Sequence, residues 1–275
     1  MTPANDPYLV PDWPLPPGVA AVFSTRAGGL SAAPYDSLNL GDHVGDAPAA
    51  VAANRSRFAQ RLGTHPVFLQ QMHGTAVAAL DAHSADGLQA DGCVSRAPGV
   101  ACTIMVADCL PVLFCHADGS TVAAAHAGWR GLAGQAGQGG QGGILAATLK
   151  AFSPATPAEY AYKAIKNIAS QVSVWLGPCI GPQAFEVGSE VRAAFMAGNA
   201  QAASQFVPCG PGKYLCNLQG LARQQLAALG VERIYGNDGS AAWCTVGNPL
   251  RFFSHRRDAA RLGTSGRMAA AIWRV

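Results

Sequence analysis

The sequence predicts a single α/β domain with a mixed β-sheet core flanked by helices. Short apolar runs rich in Val, Ala, Ile and Phe alternate with amphipathic stretches that end in glycine. At 275 residues the chain can bury a substantial core without disulfide or metal staples. No internal repeat or linker splits it into two cores, so residues 1–275 read as one unit.

The elements follow in order. Val19 to Arg26 reads as a strand entering the Gly28-Gly29 turn, and a loop rich in Ser, Pro, Asn and Gly runs from Ser31 to Asp46. Asp46 is placed to cap a helix with Pro48 in its first turn; Val51, Phe58 and Leu62 share one side and Gly63 stops it. Val67 to Leu69 is a short strand running into His73. Gly99 to Cys115 is a continuous β-rich run, long enough for one or two buried strands. After the Asp118-Gly119 turn comes a strand over Thr121 to His126, and so short a turn favours antiparallel pairing.

Gly134 to Gly143 is a Gly-Gln low-complexity run, expected to be a flexible surface loop. It has no lysine before Ser or Thr, so it is not a phosphate loop. Ile144 to Phe152 and part of Ala158 to Ser170 read as helical, and Val172 to Leu176 as a strand ending in Gly177-Pro178. Glu190 to Ala203 and Leu218 to Leu229 are amphipathic helices, the second closed by Gly230. Ile234-Tyr235 and Leu250 to Phe253 read as late strands, ahead of an apolar tail from Arg267 to Trp273.

Composition excludes several classes. Charged residues make up 13%, against roughly 25% in ordinary soluble domains. The net charge of +3 carries no Lys/Arg cluster, so nucleic acid is not expected as a partner. Met1 to Pro7 has neither a basic nor an apolar signal region, and the Val100 to Phe114 stretch is interrupted by Asp108 and too short to span a bilayer. A cytoplasmic enzyme without a membrane partner is the expectation. Of eight cysteines none forms a C-x-x-C pair, and all but Cys109 are expected to be reduced core thiols.

Three motifs carry chemistry: Gln71-Met72-His73-Gly74, Ala107-Asp108-Cys109-Leu110-Pro111 and Ala125-His126-Ala127-Gly128-Trp129-Arg130-Gly131. Two imidazoles and one thiolate match an open zinc site, which keeps its fourth position for water or substrate. The intervals are too long for a zinc finger and suit ligands delivered from separate strand ends. Small residues beside both histidines leave space, and an ionisable Asp108 inside an apolar run needs a partner or a role. The residues alone leave metal chemistry and nucleophilic chemistry both open. Arg26 and Arg130 lie beside glycines, where a guanidinium can reach an anion near the backbone. Arg256-Arg257 is a further candidate anion pair, although Arg257 next to Asp258 reads better as an ordinary ion pair. His65 and His83 are expected to be exposed, and His43 and His255 to border a cleft.

Longer stretches carry a resemblance. Ser24 to Gly29, Pro34 to Gly41, the three motifs above, Leu176 to Pro182, Phe185 to Gly188, Leu221 to Leu226, Phe252 to Asp258 and Gly266 to Met268 run nearly end to end. In these the chain resembles the laccase-domain, YfiH-like family of purine nucleoside phosphorylases, formerly called polyphenol oxidases. The resemblance implies metal binding by His73, Cys109 and His126, and a fold shared with putative cysteine hydrolases. It also implies phosphorolysis of adenosine, inosine and methylthioadenosine, with adenosine deamination. Arg26, Asn39, Gln71 and Arg130 would then surround a pocket for nucleoside and phosphate, with Asp108 in outer support or proton transfer.

Three departures stand out: His255 where the family usually has Tyr, Asn217 where Asp is common, and a longer stretch between residues 134 and 172. The expected cofactor is Zn2+, with Cu2+ possible in vitro, and the expected state is a monomer or small homo-oligomer. A metal-free hydrolase using Cys109 as nucleophile is the main alternative. A copper-dependent phenol oxidase comes last, because seven histidines scattered along the chain offer no second cluster for coupled copper.

Overall fold

In the computed structural model the described residues are 6–134, 143–153 and 161–275. Residues 135–142 of the Gly-Gln run, and the start of the expected helix before residue 161, lie outside them. The first half of the chain supplies strands β1 (Tyr8–Leu9), β2 (Val19–Ser24), β3 (His65–Phe68), β4 (Val77–Leu80), β5 (Gly92–Ser95), β6 (Val100–Val106), β7 (Leu110–His116) and β8 (Val122–Ala127). The second half adds β9 (Val172–Leu176), β10 (Glu186–Gly188), β11 (Phe206–Gly210), β12 (Lys213–Cys216), β13 (Arg233–Gly236) and β14 (Met268–Arg274). The helices are α1 (Pro48–Leu62), α2 (Trp129–Ala133), α3 (Ile144–Ala151), α4 (Ala161–Ala169), α5 (Ser189–Met196), α6 (Leu218–Leu229) and α7 (His255–Leu262).

Two mixed sheets form the centre. One has the order β1-β2-β14-β6-β3, and the other β13-β9-β7-β8-β5-β4; β10-β12-β11 is a small antiparallel sheet at the side. Alternation along β6 explains the layering. Val100, Cys102, Ile104 and Val106 face the second sheet, while Ala101 and Met105 pack with Phe58 and Leu62 of α1. On β7, Leu113 and Cys115 face inward, and Leu110, Val112 and Phe114 pack against Leu145 and Leu149 of α3. The result is helix, sheet, sheet, helix: a strand buried on both faces reads as a continuous apolar run.

The β-rich run over residues 99–115 therefore splits. Its first strand joins one sheet and its second strand the other, with Ala107-Asp108-Cys109 crossing between them. The apolar tail is β14, the central strand of the first sheet, paired antiparallel with both β2 and β6. α1 buries Val51, Phe58 and Leu62 and ends on Gly63 at φ 67, where the left-handed region suits glycine.

Four expectations need correction. Asp46 does not cap α1; its Oδ2 instead accepts Ser31 Oγ at 2.6 Å and Asn39 Nδ2 at 2.9 Å, while Ala47 stands at the cap without a side-chain bond. Leu250 to Phe253 is a turn, not a strand, with the Phe252 N–H bonded to Asn248 O, and α7 begins beyond it at His255. Glu190 to Ala203 breaks at Gly198-Asn199 into α5 and a 3-10 turn capped by Asn199 Oδ1. Finally, Cys209 is exposed and Cys244 half-buried, so only Cys93, Cys102, Cys115, Cys179 and Cys216 are buried thiols of the expected kind. Asn217, where Asp was common, still caps α6 by accepting the Gly220 N–H at 2.9 Å.

Candidate metal centre

The topology gathers the three motifs at one place. β3 and β6 are parallel, so their C-terminal ends lie together; Gln71 to Gly74 follows one end and Ala107 to Cys109 the other. β8 runs antiparallel to β7, setting His126 opposite Pro111 and just ahead of α2. Gln71 extends the ladder where β3 has ended. Its Nε2 donates to Met105 O and its Oε1 accepts the Met105 N–H, both at 2.8 Å, which pins the following His73.

His73, Cys109 and His126 converge, each offering one donor atom, all within 4.8 Å of one another. His73 is exposed, Cys109 half-buried and His126 buried. Cys109 Sγ lies 3.9 Å from His73 Nε2, and the two imidazoles meet edge to face with centroids 4.7 Å apart. The floor is Gly128, where a Cβ would come within 3.0 Å of both Cys109 Sγ and the His73 ring.

Asp91, at 1% exposure, organises one side. Its Oδ1 accepts from His126 Nδ1 at 2.9 Å and from the His73 N–H at 2.8 Å; its Oδ2 accepts the Met72 and Gly74 N–H groups at 3.0 and 2.7 Å. Those backbone bonds hold His73 at φ 59, a conformation costly for a residue with a Cβ. The bond to Nδ1 also fixes the imidazole tautomer and leaves Nε2 for the centre.

The electrostatics are tightly linked. Burial would push the Cys109 thiol up, but the neighbouring His126 charge, with hydrogen bonds from His126 and His73, brings it down to about 6. Burial would likewise lower His126, yet the Cys109 thiolate and Asp91 raise it to about 9. Burial also works against Asp91 ionisation, and the bonds from His126 and the Gly74 and Met72 amides hold its carboxyl below the ordinary value. The donor set fits a divalent ion: a thiolate, two imidazoles, an outer carboxylate, and a fourth side open to the cleft.

Asp108 behaves differently. It stands at φ 86, and its carboxylate turns to Thr245 Oγ1 at 2.5 Å and to the Arg256 N–H at 2.6 Å, in the first turn of α7. Its carboxylate ties the α7 region to the crossover, not a ligand to its position.

The centre opens into a cleft of about 920 Å³. Gln71, Asp108, Arg130, His43 and His255 line it, as do Arg55, Arg256 and Arg267, with Phe68, Trp129 and Phe185 as apolar wall. Arg26 and Asn39 are not among the lining residues. Arg26 is engaged by Asp36 at 3.1 Å and by Pro249 O at 3.0 Å, and Asn39 is buried, bonded to Gly41, Asp46 and the Arg267 N–H. Their surroundings give them a scaffolding position behind the cleft. Arg257 pairs with Asp258 at 2.7 Å and binds Thr245 and Phe252 carbonyls, the ordinary ion pair its sequence suggested. His65 and His83 are exposed as expected.

Sequence reasoning missed Asp91, Arg55 and Arg267. Asp91 had a usable signal, an ionisable residue within Ala90-Asp91-Gly92-Cys93-Val94, the same cue that singled out Asp108. Arg267 lies within the Gly266 to Met268 stretch of the resemblance but had no role assigned, and Arg55 carried no signal, because only the fold turns their elements toward the cleft.

The profile of a family described as multi-copper polyphenol oxidoreductase laccase matches residues 20–275. The chain is 47% identical over 269 residues to the purine nucleoside phosphorylase YfiH of Shigella flexneri, covering 97% of this chain and 98% of that one. It is 46% identical over 267 residues to a purine nucleoside phosphorylase of Pseudomonas aeruginosa, with the same two coverages. Among solved structures, a Neisseria meningitidis protein matches with a TM-score of 0.82 at 42% identity, over 98% of this chain and 99% of that one. The hypothetical protein YfiH of Bacillus licheniformis matches with 0.78 at 29% identity, over 94% and 93%.

Proposed function

The chain belongs to the multi-copper polyphenol oxidoreductase laccase family, and on that premise we propose that it is a zinc-dependent purine nucleoside phosphorylase. One observation carries the proposal: an open His₂Cys donor set on the floor of a cleft with an apolar wall and four arginines. The substrates would be adenosine, inosine and methylthioadenosine with phosphate, and adenosine deamination would be a second activity. The enzyme would work in the cytoplasm as a monomer or small homo-oligomer.

His73, Cys109 and His126 would hold the zinc, which when bound supplies a Lewis acid at the floor of the cleft. Asp91 keeps His126 and the His73 loop in place, so the donors need little reorganisation. Trp129, half-buried in the wall, offers apolar surface to a purine, while Phe68 and Phe185 are buried and carry Arg55 and Arg256 over their rings. In phosphorolysis a phosphate oxygen bonds to the ribose C1′ while the bond to the purine nitrogen breaks, and the arginines compensate the phosphate charge.

A second reading has its own observation. Cys109, His126 and Asp91 also form a nucleophile, base and orienting carboxylate, with the thiol at about 6. One experiment separates the two. Protein purified without added metal is expected to carry about one equivalent of zinc, as a three-ligand site holds a single ion. It should release free base from inosine and adenosine only when phosphate is present. Release without phosphate would sink the phosphorylase reading, and a zinc-free protein whose Cys109 is trapped by a substrate-like ester would favour the hydrolase.

A further inference from the structure

The four cleft arginines differ in what already holds them. Arg55 gives Nε to Leu40 O and pairs with Asp42 and Asp86 at 3.2 and 3.4 Å. Arg256 is exposed and gives Nη1 to Glu186 O at 3.0 Å. Arg130 is exposed and lies over the Trp129 ring, 4.5 Å from its centroid.

Arg267 is the exception. It is half-buried beside the centre, yet the ion pairs among the described residues leave it without a carboxylate. Its Nη1 donates to Ser265 O at 2.7 Å and Gly266 O at 3.3 Å, which sets the guanidinium plane and leaves the Nε–Nη2 edge uncommitted. Gly41 makes room for its stem, since a Cβ there would lie 2.7 Å from Arg267 Cγ. The Arg267 N–H is bonded to Asn39 Oδ1 at 2.8 Å, so the backbone below it is fixed from a buried residue. The Cys109 and Asp108 charges lie near this cation, but neither bonds its free donor edge, which stays open to a further anion. That edge matches two oxygens of a tetrahedral dianion.

We propose that the Nε–Nη2 edge of Arg267 binds phosphate beside the His73, Cys109 and His126 centre. The assignment rests on the phosphorylase reading and makes Arg267 the residue that sets affinity for the co-substrate. The same chemistry would also suit the phosphate of a nucleotide, so the test includes both.

Initial rates of base release from inosine, measured against inorganic phosphate and then against inosine at saturating phosphate, decide it. Arg267→Gln is expected to raise the phosphate KM about 10- to 100-fold, the loss of a charged hydrogen-bonded pair, and to leave the inosine KM unchanged. Arg267→Lys should recover only part, because a point charge replaces the fork. Zinc content should match the native protein in both variants, and the KM values are read well below the melting temperature, which falls with the Nη1 bonds to Ser265 O and Gly266 O. If Arg267→Gln does not fold, Arg267→Lys carries the same split between the two KM values.

An unchanged phosphate KM, or a rise in the inosine KM alone, overturns the assignment. So does loss of adenosine 5′-monophosphate binding with the phosphate KM intact, which would give the fork to a nucleotide. A native enzyme that ignores phosphate removes the phosphorylase reading and this assignment together. A phosphate-dependent native enzyme whose phosphate KM survives Arg267→Gln removes this assignment alone.

Discussion

On one flank of the centre Asp91, distant in sequence from every ligand, faces His126 and the His73 backbone. On the other flank Asp108, adjacent to Cys109 in the chain, faces away, toward Thr245 and the start of α7. Both are buried carboxylates in strand-rich surroundings, and both are fully engaged. What separates them is the partner. Asp91 spends its lone pairs on groups that position ligands; Asp108 spends its own on groups that position the cleft wall. Proximity in sequence is therefore a poor guide to which carboxylate positions the His73, Cys109 and His126 donor set.

The largest expected effect lies at the point both flanks serve. Cys109→Ser replaces the thiolate, and His126→Ala removes a ligand together with the Asp91 bond. Each should lose its zinc and lower phosphorolysis by at least about 10³-fold, the several kcal/mol that a Lewis acid supplies. Metal analysis and turnover on the same preparations check this. Retention of full activity by zinc-free Cys109→Ser would break the idea of a single metal centre.

The comparison itself is tested by the matched pair Asp91→Asn and Asp108→Asn. Asp91→Asn should weaken zinc binding about 10- to 100-fold, as removal of outer-sphere carboxylates does. Asp108→Asn should leave zinc affinity unchanged but lower stability by about 1–3 kcal/mol, because its amide cannot serve both Thr245 and the Arg256 N–H equally. Competition with a chelator reads the first quantity and thermal melting the second. Equal zinc loss in both variants would erase the distinction between the flanks.

The same contrast shows where sequence reasoning reached and where it stopped. The convergence of His73, Cys109 and His126 was legible because they sit in small-residue motifs, and local composition already implied open space. Strands β6 and β7 were legible as one apolar run, but not their division between two sheets, since a crossover of three residues leaves no mark on hydrophobic periodicity. β11 and β12 escaped because Pro208, Gly210 and Gly212 interrupt the alternation that marks a strand. Asp46 shows the other failure: a residue type suited to a cap was drawn off by Ser31 and Asn39, partners supplied only by the fold.

The smallest effect is expected at the floor, where two glycines separate ligand geometry from folding. At Gly128 a Cβ would press on Cys109 Sγ and the His73 ring at 3.0 Å, while its φ of −66 is one alanine adopts without strain. At Gly131, within the first turn of α2, a Cβ would come 2.7 Å from Gly74 O, in a residue whose N–H is held by Asp91. Gly128→Ala should therefore change zinc affinity by less than the roughly 10-fold of a lost outer hydrogen bond and stability by under about 1 kcal/mol. Gly131→Ala should cost more stability, because carbonyl and helix must separate, and should reach zinc only through the displaced His73 loop. Chelator competition and melting on the two variants, side by side, give the order. If Gly128→Ala instead melted far below Gly131→Ala, the floor would be a packing contact of the fold and not a clearance kept for the ion.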